Sequence, residues 1–413
     1  MKKQYVILGL LLGCLQFAQA QFTLDGEFRP RTEYLHGFGS LIPEASEPDF
    51  FTVTRARLNA GYSTESYKMY LSIQDVLLWG ENPQIVHSDA NNHFDIFEAW
   101  AELQLGKGWS TKLGRQVLSY DDQRILGGLD WAQQGRNHDA ALLKYSKDGF
   151  ALDLALAFNQ DNLASAGNLY ATTALFSYKT MQMLHLNKKF GNLSASLLLM
   201  NNGFQNGTPG VSNLQTMGTH LNYKKGSFGV AANAYIQTGQ RVGDVDVKGA
   251  YDLSLDLTYK ASEKVGLSAG VEVISGNDAG AGETGAFFPL YGTNHKFNGL
   301  MDYFYVGNHA NSIGLVDIHV GADFKLSETS NLSLNILNFT GEQDLAATGS
   351  SKLGTEVDLV ISKKFKGYTL VGGYSQLFAG DDMYALKGVT EANAANTQNW
   401  IWTMLVIKPK FLN

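Results

Sequence analysis

The sequence predicts an all-β fold: a single antiparallel transmembrane barrel of about 18 strands, with short turns at one end and long loops at the other. Three observations carry this. Apolar and polar residues alternate over many separate segments, which is the period of a strand with two unlike faces. No internal run of about 18 apolar residues exists, so helical membrane spans are excluded. Short polar links alternate along the chain with long Gly/Asn/Asp-rich segments, the asymmetry of bacterial outer-membrane barrels.

In chain order, Lys2 and Lys3, the apolar run Val6 to Leu15 and the small-x-small site Ala18-Gln19-Ala20 predict a cleaved signal peptide over 1–20 and a barrel over 21–413. Leu11-Leu12-Gly13-Cys14 also has the form of a lipoprotein box, but more apolar sequence and a better cleavage site follow it. Cys14 is the only cysteine, so the expected mature chain has neither a disulfide nor a thiolate metal site.

Phe22 to Tyr34 sets the pattern. Phe22, Leu24, Gly26, Phe28, Pro30, Thr32 and Tyr34 take one face, and Thr23, Asp25, Glu27, Arg29, Arg31 and Glu33 take the other. A membrane barrel accepts that combination, with lipid outside and a polar lumen inside. Thr54 to Tyr62 sets Arg55, Arg57 and Asn59 opposite Ala56, Leu58 and Ala60, and Phe97 to Leu105 does the same with Glu98, Trp100, Glu102 and Gln104. In Tyr251 to Tyr259, Asp252, Ser254, Asp256 and Thr258 interleave with Tyr251, Leu253, Leu255, Leu257 and Tyr259. Val265 to Val273, Leu315 to Phe324 and Thr355 to Ser362 follow the same rule.

Short links are expected at 64–66, 106–109, 147–149, 188–191, 224–226, 261–264, 327–330 and 364–367. Long loops are expected at 37–49, 80–92, 120–136, 160–175, 202–213, 239–248, 277–311, 341–350 and 379–397. Alternation of the two kinds gives an even strand number with both termini on the short-turn side. The closing strand runs from Trp400 toward Phe411, with Trp400, Trp402, Met404 and Val406 on one face. Pro409 cannot donate to a ladder, so pairing is expected to end near Lys408.

Charge narrows the function. Without Lys2 and Lys3 the formal charge goes from −7 to −9, a poor balance for nucleic-acid binding. Arg29, Arg31, Arg55, Arg57, Arg115, Arg124 and Arg136 lie in the first third of the chain, while the lysines gather at the expected turns. An arginine fork pairs carboxylates bidentately, so several in one constriction would give successive weak sites for an anionic chain. In the structural alternative, Arg29 and Arg31 pair with Glu27 and Glu33, or with Glu98 and Glu102, and stiffen the wall. Arg115, Arg124 and Arg136, near loop ends, are divided between a constriction role and a structural one. Asp121-Asp122 and Asp381-Asp382 match no defined calcium loop and read as loop acids. His295 reads as a hydrogen-bonded loop histidine. No nucleophile elbow, phosphate loop or zinc spacing is present, so neither an enzyme nor a cofactor is expected.

Gly114-Arg115-Gln116, Tyr120-Asp121-Asp122-Gln123-Arg124, Gly128-Leu129-Asp130-Trp131 and Arg136-Asn137-His138-Asp139 resemble the alginate export family of outer-membrane channels. So do the run Phe288 to Asp302 and the closing Lys408-Pro409-Lys410-Phe411. The resemblance implies an eighteen-stranded barrel in the outer membrane and passive movement of an anionic polysaccharide through an arginine-lined pore, with Arg115, Arg124 and Arg136 chiefly at the matching positions. The long periplasmic turn that plugs that family's exporter has no counterpart at 364–367, which favours an open porin or an extracellular gate made by loop 277–311. Three readings stand: a channel for anionic oligo- or polysaccharides, a general or differently specific small-solute porin, and a closed structural or adhesive barrel. Expected partners are outer-membrane lipid, the passing solute and periplasmic components of an export or uptake system.

Overall fold

Alternating strands make a tube only if the first and last of them pair. The computed structural model describes residues 21–82, 93–163, 167, 169–170, 176–205, 209–277, 282–309, 312–395 and 397–412. The expected signal peptide, most of the expected loop 80–92 and much of 160–175 lie outside these residues.

The wall begins with β1 (Gln21–His36), β2 (Asp49–Ser63), β3 (Tyr67–Leu78), β4 (Asp95–Gly106), β5 (Trp109–Gln116) and β6 (His138–Lys147). It continues with β7 (Phe150–Phe158), β8 (Thr180–Phe190), β9 (Leu193–Phe204), β10 (Ser212–Lys225), β11 (Phe228–Arg241), β12 (Val245–Lys260) and β13 (Val265–Ile274). A two-residue strand, β14 (Glu283–Thr284), lies parallel to the start of β12. Then come β15 (Leu315–Lys325), β16 (Ser330–Leu345), β17 (Ser350–Lys364), β18 (Tyr368–Ala379) and β19 (Gln398–Ile407). Each wall strand pairs antiparallel with the next, and β19 pairs with β1, with Tyr34 opposite Ile401. Setting aside β14 and a terminal piece, β20 (Lys410–Leu412), the result is a closed antiparallel barrel of 18 strands.

Alternation is realised as the sequence requires. On β1, Phe22 and Phe28 are exposed to the outside, while Glu27, Arg29, Arg31 and Glu33 are buried within the barrel. Outward aromatics ring both ends, Tyr62, Phe190, Phe228 and Tyr259 on the short-turn side and Phe50, Phe158 and Phe378 on the other, as interfacial girdles do.

Two details differ from expectation. Segments 239–248 and 341–350 are largely strand: Val245 pairs with Arg241 and Leu345 with Ser350. Glycine had suggested loops there, but Gly239, at φ 100°, marks a register shift within the ladder. The closing strand ends at Ile407, and beyond Pro409 the chain pairs again with β1, Asp25 opposite Lys410. The Pro409 carbonyl accepts from Gly26 N at 3.0 Å, which needs no proline N–H. Trp400 and Trp402 share a face as expected, and it is the inward one, with Ile401 outward.

That inward facing has a physical cause. Toward the long-loop end the interior is packed rather than watery. Inward Met183, Met200, Phe339, Leu377 and Trp400 form one core with loop residues Leu126, Leu290, Tyr291, Met301 and Tyr303. Burial of each such side chain contributes about 1.5–3 kcal/mol.

Candidate functional site

The lumen-facing positions of β1 and β2 place Arg29, Arg31 and Arg55 side by side, and all three are buried. Arg31 Nε donates to Glu33 at 2.8 Å, and Arg55 donates to Glu27 through Nε at 2.9 Å and again through its terminal nitrogen. Arg29 Nε lies 3.6 Å from Glu27. The remaining donors turn to residues 75 to 104 positions away, in the segment between β5 and β6. Arg29 donates to Gln133 Oε1 at 2.9 Å and to the Asp130 carbonyl at 2.8 Å, and Arg31 donates to the Trp131 carbonyl at 2.7 Å. Arg55 reaches Asp130 Oδ1 at 2.9 Å. The arginine row is therefore covered by loop 117–137.

That loop crosses the lumen. Asp121, Gln123 and Leu129 hold left-handed backbone without being glycine, a conformation that persists only where surroundings impose it. The constraints are visible. Tyr120 Oη donates to Asp153 at 2.8 Å, Asp121 meets the His185 ring at 3.0 Å, and Asp122 accepts from Asn233 at 2.6 Å. Arg124, 1% exposed, ends the crossing at β12 and β13, where Nε lies 3.1 Å from Asp252 and 2.8 Å from Glu272. Burial alone would lower the Arg124 guanidinium pKa, but Glu272 and Asp252 reverse this and hold it above its ordinary value.

A second segment, between β13 and β15, covers the rest of the acidic wall. Asn298 donates to Glu272 at 2.6 Å and to Asp317 at 3.1 Å. The Leu300 and Met301 amides donate to Asp358 at 3.2 Å and Glu356 at 2.8 Å. Gly299, at φ 89°, lets this backbone lie against Glu356, whose oxygens a Cβ would meet at 2.6–2.7 Å. The two loops are stitched together: Gly127 N donates to the Tyr291 carbonyl at 2.9 Å, Tyr291 N to that of Ile125 at 3.0 Å, and Arg136 to that of Gly292 at 2.9 Å. His295 stacks on Trp131 with centroids 4.4 Å apart, its Nδ1 2.9 Å from Asp302. Below them a cavity of about 330 Å³ is bordered by Asp122, Asp256, Glu272, Asp317 and Asp358, with Lys296 and His319 the basic side chains.

The expected site residues are thus distributed unevenly. Arg29, Arg31 and Arg55 form one row, with Glu27 and Glu33 rather than Glu98 and Glu102 as their wall carboxylates. Arg57 bonds Gln74 at 2.6 Å and lies 3.7 Å over the Phe97 ring. Glu98 accepts from Trp100 and from Val117 N, and Glu102 accepts from Ser110, so both belong to the β4–β5 side. Arg124 and Arg136 hold loops. Arg115 corrects the expectation that it lines the constriction. Its register, Arg115 opposite Asp139 and Leu113 opposite Ala141, puts it on the outward face with exposed Leu113, where it pairs Asp139 at 2.9 Å. Asp382 accepts from Lys352 N at 2.7 Å and serves loop packing. Sequence reasoning missed Asp130 and Gln133 as arginine partners and Glu272, Asp317, Glu356 and Asp358 as a wall. The only available signal was the alternation of acids on those strands, which does not reveal which strands face one another.

The match to the family model described as alginate export spans residues 53–396. No curated protein matches the sequence. The fold is similar to outer membrane protein OpdK of Pseudomonas aeruginosa (TM-score 0.64, 11% identity, covering 95% of this chain and 99% of that one). It is also similar to OccAB4 of Acinetobacter baumannii (0.65, 12%, 95% and 98%) and to P. aeruginosa OpdK solved with vanillate (0.61, 12%, 94% and 99%). Family and fold together indicate a channel rather than an enzyme. A closed antiparallel barrel with lipid-facing girdles and a loop-filled lumen, matched over most of its length, is an outer-membrane β-barrel protein belonging to the alginate export family.

Proposed function

We propose that this protein is a channel for hydrophilic solutes bearing carboxylates, sugar acids and their short chains above all, and that loop 117–137 occupies the arginine row until such a solute displaces it. The observation that carries this reading is what the arginines bind. Arg29, Arg31 and Arg55 are met by a loop carboxylate, Asp130, together with main-chain and side-chain carbonyl oxygens. A uronate unit offers a carboxylate and ring or hydroxyl oxygens, so it can substitute for each of these ligands. The family's description points to a polyuronate, and the vanillate in one structural neighbour is also a carboxylate.

A second reading, a small-solute porin, draws on the carboxylates around the cavity, which favour cations. Single-channel conductance with added oligouronate tests both. Reversible, concentration-dependent block lost in an Arg29→Gln/Arg55→Gln variant supports the first. Conductance indifferent to oligouronate overturns it in favour of the porin.

A further inference from the structure

The lysines at the turns have so far had no role. Each of the eight short turns, with its flanking strand ends, carries lysine and none carries arginine; doublets stand at Lys188-Lys189, Lys224-Lys225 and Lys363-Lys364. The same turns hold only four acids, Glu65, Asp148, Glu263 and Glu328. At the opposite end the balance is reversed, with Glu44, Glu47, Asp49, Asp244, Asp246 and Glu283 in or beside the loops. The barrel is electrically polar along its axis.

Register decides where the turn lysines sit. Lys189 lies opposite Ser194, Lys224 opposite Gly229, Lys260 opposite Gly266 and Lys364 opposite Thr369. Counting by two along each strand puts these four on the face of lumen residues His185, His220, Asp256 and Asp358, not on that of the exposed Leu257 and Leu359. Their opposite positions are small, and all four side chains are exposed without an ion pair among the described residues. The hairpins of Lys189, Lys224 and Lys260 are successive, separated by two strand spacings, roughly 10 Å, about the Debye length at 0.1 M salt, so their charges act as one field, and Lys364 extends it two hairpins further round the mouth.

We propose that this lysine ring is a capture surface for polyanionic chains arriving from the periplasm, steering them into the mouth before they reach the arginine row. It deepens the proposed function, on whose solute class it rests. The occupant assigned to these four is a carboxylate-bearing polymer, because they take the lumen face, whereas their doublet partners Lys188, Lys225 and Lys363 stand on the lipid face with Phe190, Phe228 and Tyr259, where membrane phosphate is the available anion. Such steering raises association rates by about 10- to 1000-fold and fades with salt. The ring thus favours entry of an anionic chain from the periplasmic side, while net flux still follows the gradient.

The test is single-channel recording in channels of known orientation, native against Lys189→Gln/Lys224→Gln/Lys260→Gln/Lys364→Gln, with oligouronate and separately dextran sulfate added to one side at a time. The ring predicts periplasmic blocking on-rates at least about tenfold above extracellular ones at low salt, reduced about tenfold in the variant, with dwell times and conductance unchanged. On-rates that ignore side, or that the four substitutions leave unchanged, overturn it. So does a variant whose only defect is weaker insertion into bilayers rich in anionic phospholipid. Sided capture of dextran sulfate with no block by oligouronate would keep the ring and refute the solute assigned to the arginines.

Discussion

The walls built by β1–β2 and by β12–β17 line one lumen with opposite charge, and the loops meet them in opposite ways. On the arginine side the wall supplies the cations and the loop supplies Asp130, whose side chain is 73% exposed. On the acidic side the wall supplies carboxylates, and the loops supply Arg124, which is 1% exposed, together with the Leu300 and Met301 amides. The first contact is open to water on its loop side only, Arg55 being buried, and the second is dry on both sides. Ionic partners exposed to water exchange readily, whereas a charge buried against its counter-ions cannot leave without large cost. The comparison assigns loop 117–137 a fixed end at Arg124 and a releasable end at Asp130.

Breaking the fixed end has the largest expected effect. Arg124→Ala leaves Asp252 and Glu272 buried without their cation, and about 3–5 kcal/mol of stability should be lost. Thermal unfolding of the detergent-solubilised barrel reads this directly, and a midpoint within a degree of native would remove the anchor from the account.

Acid should loosen the seam above the acidic wall by a smaller step. His309 Nε2 donates to the Gly314 carbonyl at 2.8 Å, while Nδ1 is shielded from solvent without a partner. Burial lowers its pKa to about 4, against which the Gly314 bond works only partly. The unfolded segment therefore binds the proton more readily, and packing that is intact above about pH 6.5 weakens as pH falls toward 4. Proteolysis of the 282–309 segment at graded pH should rise through that window in the native protein and stay flat in His309→Gln.

The sequence made the wall legible and left the interior hidden, for a physical reason. Alternation at Phe22 to Tyr34 or Tyr251 to Tyr259 is local, so strand number, turn side and the facing of Glu27 or Asp256 follow from counting by two. The pairing of Arg29 with Gln133, or Arg124 with Asp252, depends on how a loop folds back through space, which no period records. Alternation puts Trp400 and Trp402 on one face but does not say which, and loop residue Trp131, packed on them at 5.4 and 4.8 Å, is what makes it the inward one. Arg115 joins the lumen arginines by composition and leaves them by register.

Asp130→Asn tests the releasable end and should act on gating more than on stability. Removing an ionic contact whose carboxylate is exposed, while buried Arg55 keeps Glu27, costs about 1 kcal/mol, roughly a fivefold gain in the frequency of loop-open sojourns in single-channel records. The smallest effect belongs to Arg115→Gln. An exposed pair on the outer face contributes up to about 1 kcal/mol, and ion selectivity should not move; a shift in selectivity would return Arg115 to the pore.

The reversal potential under a tenfold salt gradient tests the releasable cover most directly. A concentrated side near 1 M, where the Debye length is about 3 Å, quiets the mouth lysines. With the arginine row covered and Asp122 and Asp256 open to the cavity, the native pore should prefer cations, and Asp130→Asn/Gln133→Ala should move the reversal potential toward anions. A native pore that already prefers anions, with the double variant unchanged, would mean that the arginines line an open path and that loop 117–137 covers nothing the solute needs.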